Sequence, residues 1–408
     1  MKNLLCIITI LNLFFISCSK DNSTTDVPKY VPLKTFIKVT PLRVETGDTI
    51  TFEGNNLDRI WLKFNDFTTI RIVSQQYKKI VAIVPDLKNE NIVVKAMLSQ
   101  TFVSDSINLT LYGFFPLIDP VNNGDITHVK AVNENIVFAT VNSQLLKSVD
   151  GGYHWINMKI FSGSISSLCF IDENNGWVGT ENNCLYYTND GGKSFSYLFK
   201  TDQSMGGNFI MDMDFSSSKH GYLLTGKGEI YSTNDNSVFT LLYAFPESNR
   251  ESGYIEFFHL SVYNNIVMAT GESGKNGNLP VLIKGMNDVF TYQTFSEQLR
   301  KVKIVNEHKS YLIKGSKLYV TNNNGNSWDK VSDTMLFNIY FLDENNGFGI
   351  TSDEYLTHHI ILQTNDGGNV WKKRRELYDS EYVMEMTFIG KVGYVSGYRS
   401  QMWKYIKD

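Results

Sequence analysis

The sequence predicts an all-β protein in which a small β-sandwich is followed by a β-propeller with seven blades. Two observations predict this fold class. Residues 35–112 contain short alternating strands between turn residues, and residues 113–408 repeat one turn motif about every 43 residues. Turns every 8–12 residues or so are typical of a sandwich, and a period of roughly 40–50 residues is typical of propeller blades.

The bulk composition sets the size and the partner classes. A chain of 408 residues has room for two or three domains, and 42% hydrophobic residues are enough for a large core. A formal net charge of −4 argues against a nucleic-acid partner. We find no Gly-rich loop opening a helix and no metal-ligand spacing, so no cofactor and no metal are expected.

The amino terminus predicts export. Lys2 precedes an apolar run over residues 4–16, which is too short for a comfortable transmembrane helix, and Ser17 and Cys18 follow. Residues 15–18, Phe-Ile-Ser-Cys, resemble a bacterial lipobox, which implies cleavage before Cys18 and acylation of its thiol. We therefore expect a signal peptide over 1–17, a lipid anchor on Cys18 and a polar tether over 18–34. The alternative is a secreted protein in which Cys18 is incidental.

The residues after the anchor bear on localisation. Lys20 and Asp21 resemble the surface-export signal of some Gram-negative lipoproteins. The resemblance implies a protein held by lipid in the cell outer membrane and exposed at the surface, so the membrane itself is one expected partner.

Two further cysteines, Cys169 and Cys184, remain in the mature chain. The repeat places them on the first and third strands of one blade, about 9–10 Å apart, because neighbouring strands are about 4.8 Å apart. A disulfide needs Cα atoms within about 7 Å. We expect two buried free thiols.

The segment 35–112 carries a recognisable pattern. Its parts are Val39-x-Pro41, Gly47-Asp48-x-Ile50-Thr51, Gly54-x-Asn56-Leu57 and Val84-Pro85. This pattern resembles the IPT/TIG immunoglobulin-like family, which implies an immunoglobulin-like β-sandwich that often acts as a spacer.

The repeated motif after residue 113 is a turn followed by an aromatic residue. Asp or Asn with Gly-Gly suits a tight turn with positive φ, in which the carboxylate caps backbone N–H groups. We assign the aromatic residue to packing between blades, and we interpret the motif as structural. The structural residues are Asp150, Trp155, Asp190, Phe195, Asp235, Asn324, Trp328, Asp366 and Trp371.

The motif resembles the Asp-box of sialidase-type propellers. A second element, Asp-Glu-Asn-Asn-Gly at 172–176 and 343–347, forms a hairpin upstream of two copies. Together they resemble the propellers of photosystem II stability/assembly factors, which implies a fold and no photosynthetic role.

Seven blades fit the spacing, with starts near residues 125, 163, 209, 255, 299, 336 and 382. The last blade has three clear strands, so we expect residues 113–118 to supply its outer strand and close the ring. Six or eight blades are the alternatives.

Ligands of such propellers usually sit on the face opposite the Asp-boxes. Aromatic and Arg side chains over a concave surface suit sugar or peptide recognition. The candidate ligand-binding residues on that face are Arg250, Tyr254, Glu272, Tyr355, His359, Tyr398 and Arg399, and Arg300, Arg374 and Arg375 are added from loops between blades. We expect a glycan first and a protein second as the ligand.

Catalysis has little support. A glycoside hydrolase needs two opposed carboxylates. Four can be nominated, with nothing in the sequence that singles them out: Glu229, Glu272, Glu251 and Asp379. The Arg-Ile-Pro motif of sialidases is absent, so no catalytic residue is assigned. The leading hypothesis is a non-enzymatic binding lipoprotein of the cell envelope. A sialidase- or xyloglucanase-like glycosidase and an assembly factor for an envelope complex are the alternatives.

Overall fold

The computed structural model describes residues 35–65, 70–98, 103–117, 124–201, 208–217, 219–246, 254–274, 279–353, 358–377 and 383–407. The predicted signal peptide, Cys18 and the tether lie outside the described residues. Among the described residues there is no long apolar helix of the kind that crosses a bilayer.

The first domain is a β-sandwich of two four-stranded sheets. One sheet has the order β1-β3-β6-β5 and the other has the order β2-β8-β7-β4. Alternating residues point inward from β3, β4, β6 and β7, as in Leu62 and Phe64 of β4, whereas all residues of β5 are exposed. Phe52 and Phe64 meet edge to face in the core. The strands are β1 (Phe36–Thr40), β2 (Arg43–Val44), β3 (Thr49–Gly54), β4 (Trp61–Phe64), β5 (Ile72–Gln76), β6 (Lys79–Ile83), β7 (Asn91–Met97) and β8 (Val103–Leu111), with a 3₁₀ helix at Leu57–Arg59.

The second domain is a propeller of seven four-stranded sheets, which we number blades 1–7 in chain order. Each blade is an antiparallel meander in which the first strand is the innermost. A single strand, β9 (Gly113–Pro116), precedes blade 1.

Blade 1 contains β10 (Ile126–Ala131), β11 (Val137–Val141), β12 (Gln144–Ser148) and β13 (Ile156–Ile160), and blade 2 contains β14 (Ile165–Phe170), β15 (Gly176–Thr180), β16 (Cys184–Thr188) and β17 (Ser196–Lys200). Blade 3 contains β18 (Ile210–Phe215), β19 (Gly221–Thr225), β20 (Glu229–Thr233) and β21 (Thr240–Ala244). Blade 4 contains β22 (Tyr254–Tyr263), β23 (Ile266–Gly274), β24 (Leu279–Met286) and β25 (Val289–Thr294). Blade 5 contains β26 (Leu299–Ile304), β27 (Ser310–Lys314), β28 (Lys317–Thr321) and β29 (Asp329–Ser332). Blade 6 contains β30 (Asn338–Phe341), β31 (Gly347–Ser352), β32 (His359–Thr364) and β33 (Lys372–Leu377). Blade 7 contains β34 (Val383–Ile389), β35 (Val392–Gly397) and β36 (Met402–Ile406).

The ring is closed by β9, which pairs antiparallel with β36 as the outer strand of blade 7. Gly113 lies opposite Ile406 and Pro116 lies opposite Trp403. The prediction that residues 113–118 complete the last blade is therefore confirmed for the part that forms a strand, Gly113–Pro116. Because β9 comes from the start of the domain, the two ends of the propeller are joined by a backbone ladder.

Neighbouring blades are held together by stacked aromatic rings. Phe138 of blade 1 lies face to face with Phe170 of blade 2, with ring centroids 3.5 Å apart. The same arrangement recurs between Trp177 and Phe215, Tyr311 and Phe341, and Phe348 and Phe388. Each pair joins the second strand of one blade to the first strand of the next, so one contact is reused around the ring.

The sandwich packs against the propeller through ion pairs. Arg375 of β33 forms a two-point pair with Asp86, with N–O distances of 2.8 and 3.2 Å, and also donates to the backbone carbonyl of Phe114. Arg374 pairs with Glu45 at 2.9 Å. Sequence reasoning placed both arginines on the ligand face between blades. The structure corrects this, since both lie on the outer strand of blade 6 and serve the contact between domains.

Candidate functional site

The innermost strands of all seven blades share a pattern in which a polar residue, an apolar residue and a second polar residue follow one another. The strand pairings place these triplets at equivalent positions. The triplets are 128–130, 167–169, 212–214, 259–261, 301–303, 338–340 and 385–387. Side chains alternate along a strand, so the apolar middle residue packs into the blade and the two polar residues share the other side.

The polar residues form two stacked rings. The first ring, nearer the start of the strands, consists of His128, Ser167, Asp212, His259, Lys301, Asn338 and Glu385. The second ring consists of Lys130, Cys169, Asp214, Ser261, Lys303, Tyr340 and Thr387.

Both rings face the central channel of the propeller. A cavity of about 250 Å³ is lined by members of both, among them Asp212, His259 and Lys301 from the first and Lys130 and Lys303 from the second. A second cavity of about 370 Å³ shares Lys130, Asp214, Tyr340 and Thr387 with it and continues towards the hairpins on the other side. We take this channel and its mouth as the candidate site.

The channel carboxylates connect neighbouring blades. Asp212 of blade 3 accepts hydrogen bonds from the backbone N–H groups of Leu260, at 2.8 Å, and Met213. Asp214 accepts from Val262 at 2.9 Å, and Glu385 of blade 7 accepts from Val129 of blade 1 at 3.1 Å. These inner strands belong to separate sheets, so the side chains satisfy N–H groups that would otherwise lack partners.

The Asp212 carboxylate also meets His259, whose Nδ1 lies 2.7 Å from Oδ2. Burial raises the pKa of Asp212, but the hydrogen bond and charge of His259 outweigh it and hold the pKa below its ordinary value. His259 Nε2 is buried and, among the described residues, has no hydrogen-bond partner. The imidazole is therefore held in one orientation with a free ring nitrogen in the channel wall.

The channel lysines differ from the carboxylates because, among the described residues, none of their ammonium groups makes a hydrogen bond to the neighbouring blade. Lys303 places its ammonium 5.7 Å from the centroid of the Tyr340 ring. Burial lowers the pKa of Lys301, and the nearby Glu385 and Asp212 carboxylates only partly offset this. The cations thus remain available to a group that enters the channel.

The mouth of the channel is shaped by β-bulges. In six blades the pairing of the inner strand shifts next to the first ring, which leaves one extra residue. Bulges change the direction of a side chain and are common beside functional sites. The residues that precede the first ring are all half-buried and form what we call the rim: Thr127, Ser166, Met211, Phe258, Arg300, Phe337 and Met384.

The structure brings two of the sequence-derived candidates to this mouth. Arg300 is part of the rim and places its guanidinium 5.4 Å from the centroid of Phe337. The His359 ring stacks on the same Phe337 at 6.2 Å, and its Nδ1 accepts a hydrogen bond from the backbone N–H of Val383. Burial lowers the pKa of His359, which favours the neutral ring.

The other candidates whose side chains the structure describes do not line the channel. Glu272 is half-buried on β23 of blade 4, where it pairs with Pro280 and Glu256. Tyr398 and Arg399 are exposed in the turn between β35 and β36, and the backbone N–H of Arg399 donates to Asp125. Arg250, Tyr355 and the side chain of Tyr254 lie outside the described residues.

The Asp-box turns are built by hydrogen bonds. Asp190 accepts from the Thr188 hydroxyl and from both the backbone and the hydroxyl of Ser194, and these bonds lower its pKa to about 2. Asp150 and Asp366 likewise accept from the backbone N–H four residues on, whereas Asp235, in a turn that is one residue shorter, accepts from Ser237 and Val238. The glycines that follow adopt φ of 74° and 90° in three copies, which only glycine adopts easily.

One member of this set is corrected. The predicted residue in blade 5 is Asn324, but Asn323 accepts hydrogen bonds from Thr321 and from the backbone of Ser327. Asn324 instead takes a φ of 56° at the position of the first glycine. The three adjacent asparagines, 322–324, hide the register in the sequence.

The aromatic members lie beside these turns. Trp155 donates its indole N–H to the Gly152 carbonyl, and Phe195 meets Phe161 edge to face at 5.1 Å. Trp371 lies 6.3 Å from Phe341, and Trp328 lies against Gly325.

The two cysteines are free thiols in the structure. Cys169 is buried in the second ring, and burial, opposed by nearby Lys130, raises its pKa to about 12. Cys184 is only half-buried, so the expectation of two buried thiols is wrong for this residue. Within the described ranges, no three His, Cys, Asp or Glu side chains are grouped as ligands for a metal ion.

Comparison with known proteins supports the propeller. YCF48 bound to D1 peptide is similar with a TM-score of 0.56 and 17% identity, over 72% of this chain and 97% of that chain. YCF48 from Cyanidioschyzon merolae has a TM-score of 0.57 and 15% identity, over 72% and 98% of the two chains. A catalytically inactive virginiamycin B lyase from Staphylococcus aureus with quinupristin has a TM-score of 0.56 and 11% identity, over 73% and 100%. No family model matches the chain, and no curated protein matches its sequence.

Proposed function

We propose that this protein is a non-enzymatic binding protein of the cell envelope that captures an extended polypeptide segment at the mouth of its central channel. The observation that carries the proposal is the bulge in the inner strands, which places the rim side chains Met211, Phe258 and Met384 at the cavity that the charged groups line. Ligand sites in proteins commonly combine an apolar lining with a few placed polar groups.

The composition of the rim favours a polypeptide over a glycan. Met211 and Met384 have flexible thioethers that adapt to irregular apolar side chains. A glycan needs an aromatic ring that lies open to the sugar. Phe337 is instead contacted by Arg300 and His359, which would compete with a sugar for its ring. One similar structure, YCF48, carries a bound D1 peptide.

Binding is favoured over glycoside hydrolysis by the state of the channel carboxylates. A hydrolase needs one carboxyl group that stays protonated to act as the acid. Asp212 has a lowered pKa. Asp214 and Glu385 are already engaged as acceptors of backbone N–H groups of the neighbouring blade. Glu229 is likewise engaged, since it accepts from Asn208 and Tyr231.

The location at the envelope rests on the sequence. The lipobox-like residues before Cys18 and the polar tether are consistent with a lipid anchor in the outer membrane, with the sandwich as the spacer. The Cys18→Ser change should move the protein from the membrane fraction to the soluble fraction and abolish labelling by a fatty-acid analogue. Unchanged partition would remove the anchor from the proposal.

The binding function is tested with the protein lacking residues 1–34 on a random peptide array and a glycan array. We expect micromolar binding of a set of peptides, weakened about tenfold by Phe258→Ala or Met211→Ala. Tyr197→Ala, which alters an exposed aromatic residue on β17, is the matched control and should bind as the parent does. The proposed ligand would be contradicted if the protein bound only glycans. It would also be contradicted if Phe258→Ala and Met211→Ala left peptide binding intact.

A further inference from the structure

The cationic side chains of the second ring lie on one arc of the channel. Lys303, Tyr340, Thr387 and Lys130 come from blades 5, 6, 7 and 1, which are consecutive around the closed ring. Lys301 of blade 5 lies one layer closer to the mouth in the first ring. All five side chains line the same cavity of about 250 Å³.

The acidic residues of the channel are differently placed. Asp212 and Asp214 come from blade 3, outside this arc, and both accept backbone N–H groups of blade 4. Glu385 lies within the arc but accepts the backbone N–H of Val129. These bonds fix the carboxylates at the channel wall, where they balance the lysine charge from a distance.

The ammonium groups of the three channel lysines have no carboxylate at ion-pair distance among the described residues. Among the described residues, Lys130, Lys301 and Lys303 make no ion pair within 4.0 Å, whereas the exposed Lys330 and Lys317 both pair with Asp333. Charged groups inside proteins are normally paired or bound to a counter-ion. Lys303 also lowers the pKa of Lys301, as expected when two like charges share a cavity.

We propose that this arc is a binding site for an oxyanion, a carboxylate or a phosphate, held between Lys303 and Lys130 with Lys301 above it. The Thr387 hydroxyl accepts a hydrogen bond from the backbone N–H of Ala131, at 3.4 Å, and so keeps its own hydrogen to donate to the anion. His259 of the first ring adds a buried Nε2 that has no hydrogen-bond partner among the described residues. The inference goes beyond the proposed function because it concerns the interior of the channel and holds for any ligand at the rim.

The site is tested by titrating the protein with inorganic phosphate and, separately, with succinate at constant ionic strength, using calorimetry. We expect binding of at least one probe, weakened about tenfold or more by Lys130→Met or Lys303→Met, since a charged hydrogen bond is lost. Lys219→Met changes an exposed lysine on a hairpin of blade 3 and should bind as the parent does. Stronger binding of succinate would assign the site to carboxylates, and stronger binding of phosphate would assign it to phosphates.

A folding control keeps the test decisive. Lys303→Arg retains the charge and should retain most of the affinity even if the methionine variants are unstable. The parent should also show a rise in Tm with added phosphate or succinate, because a ligand that binds only the folded state stabilises it. Absence of binding by both probes, or equal affinity in the parent and the methionine variants, would overturn the site. Neither outcome depends on the peptide array.

Discussion

Asp212 of blade 3 lies 2.7 Å from the Nδ1 atom of His259 on blade 4, and the same carboxylate accepts the backbone N–H of Leu260. The two inner strands belong to separate sheets, so this carboxylate supplies contacts that no backbone ladder provides there. The channel wall is therefore both a surface open to ligands and a joint between blades.

Asp212→Asn should lower the free energy of unfolding by about 1–2 kcal/mol at pH 7, because a charged hydrogen-bond acceptor is replaced by a neutral one. The folded-state pKa of Asp212 is lowered, so its contribution is complete above the pKa of the unfolded chain and is lost as pH falls through the folded value. Urea unfolding at pH 7 and near pH 3 measures this. The difference between parent and variant should shrink at the lower pH, while Asp329→Asn, on an exposed side chain, should have little effect at either. A difference that is independent of pH would contradict the assignment.

The register of the blade 5 turn predicts opposite effects for two neighbouring asparagines. Asn323→Ala should destabilise the protein by about 1 kcal/mol, because it removes an acceptor for two hydrogen bonds. Asn324→Gly should raise Tm slightly, because glycine adopts a φ of 56° more easily. Thermal unfolding of the two variants compares them directly, and a larger loss from Asn324 than from Asn323 would restore the register expected from sequence.

The ion pair between domains should be energetically coupled. Arg375→Ala removes a two-point pair and a bond to the Phe114 carbonyl, so we expect a loss of about 2 kcal/mol, and Asp86→Ala should lose less because it is half exposed. A double-mutant cycle should give a coupling of about 1 kcal/mol. Lys372→Ala, on an exposed lysine of the same strand, is the control. Additive losses would show that the pair does not stabilise the joint.

The two thiols should differ in reactivity. At pH 8 the buried Cys169, with its pKa of about 12, has only about one thiolate in ten thousand molecules, whereas Cys184 is partly exposed. In the protein lacking residues 1–34, a thiol reagent should modify one cysteine quickly and the other only after unfolding. Cys184→Ser should abolish the fast phase and Cys169→Ser should leave it. Two fast thiols in the folded protein would be inconsistent with this packing.

The blade repeat could be predicted because its signal is local. The inner strands begin at Ile126, Ile165, Ile210, Tyr254, Leu299, Asn338 and Val383, each within about two residues of the start expected from the turn motif. Closure by Gly113–Pro116 also followed from sequence, because a three-stranded last blade requires an outer strand from elsewhere. An Asp-Gly-Gly turn specifies its own backbone, so it marks a blade wherever the motif occurs.

The channel was not predicted, although a signal was present. Triplets such as His128-Val129-Lys130 and Asp212-Met213-Asp214 alternate like any half-exposed strand. Only the stacking of seven blades shows that the polar positions meet one another, and only the bulges show which residues form the rim. Arg374 and Arg375 were misplaced for a related reason, since their partners Glu45 and Asp86 are distant in the chain.

The closing strand has a mechanical consequence. Because β9 directly follows the sandwich, tension applied at the amino terminus would reach the propeller through the strand whose pairing with β36 completes the circle. The Arg374–Glu45 and Arg375–Asp86 ion pairs also join the sandwich to the propeller, so part of the force would be transmitted through them to blade 6. A pull on the chain would thus be shared between the β9–β36 pairing and the two ion pairs.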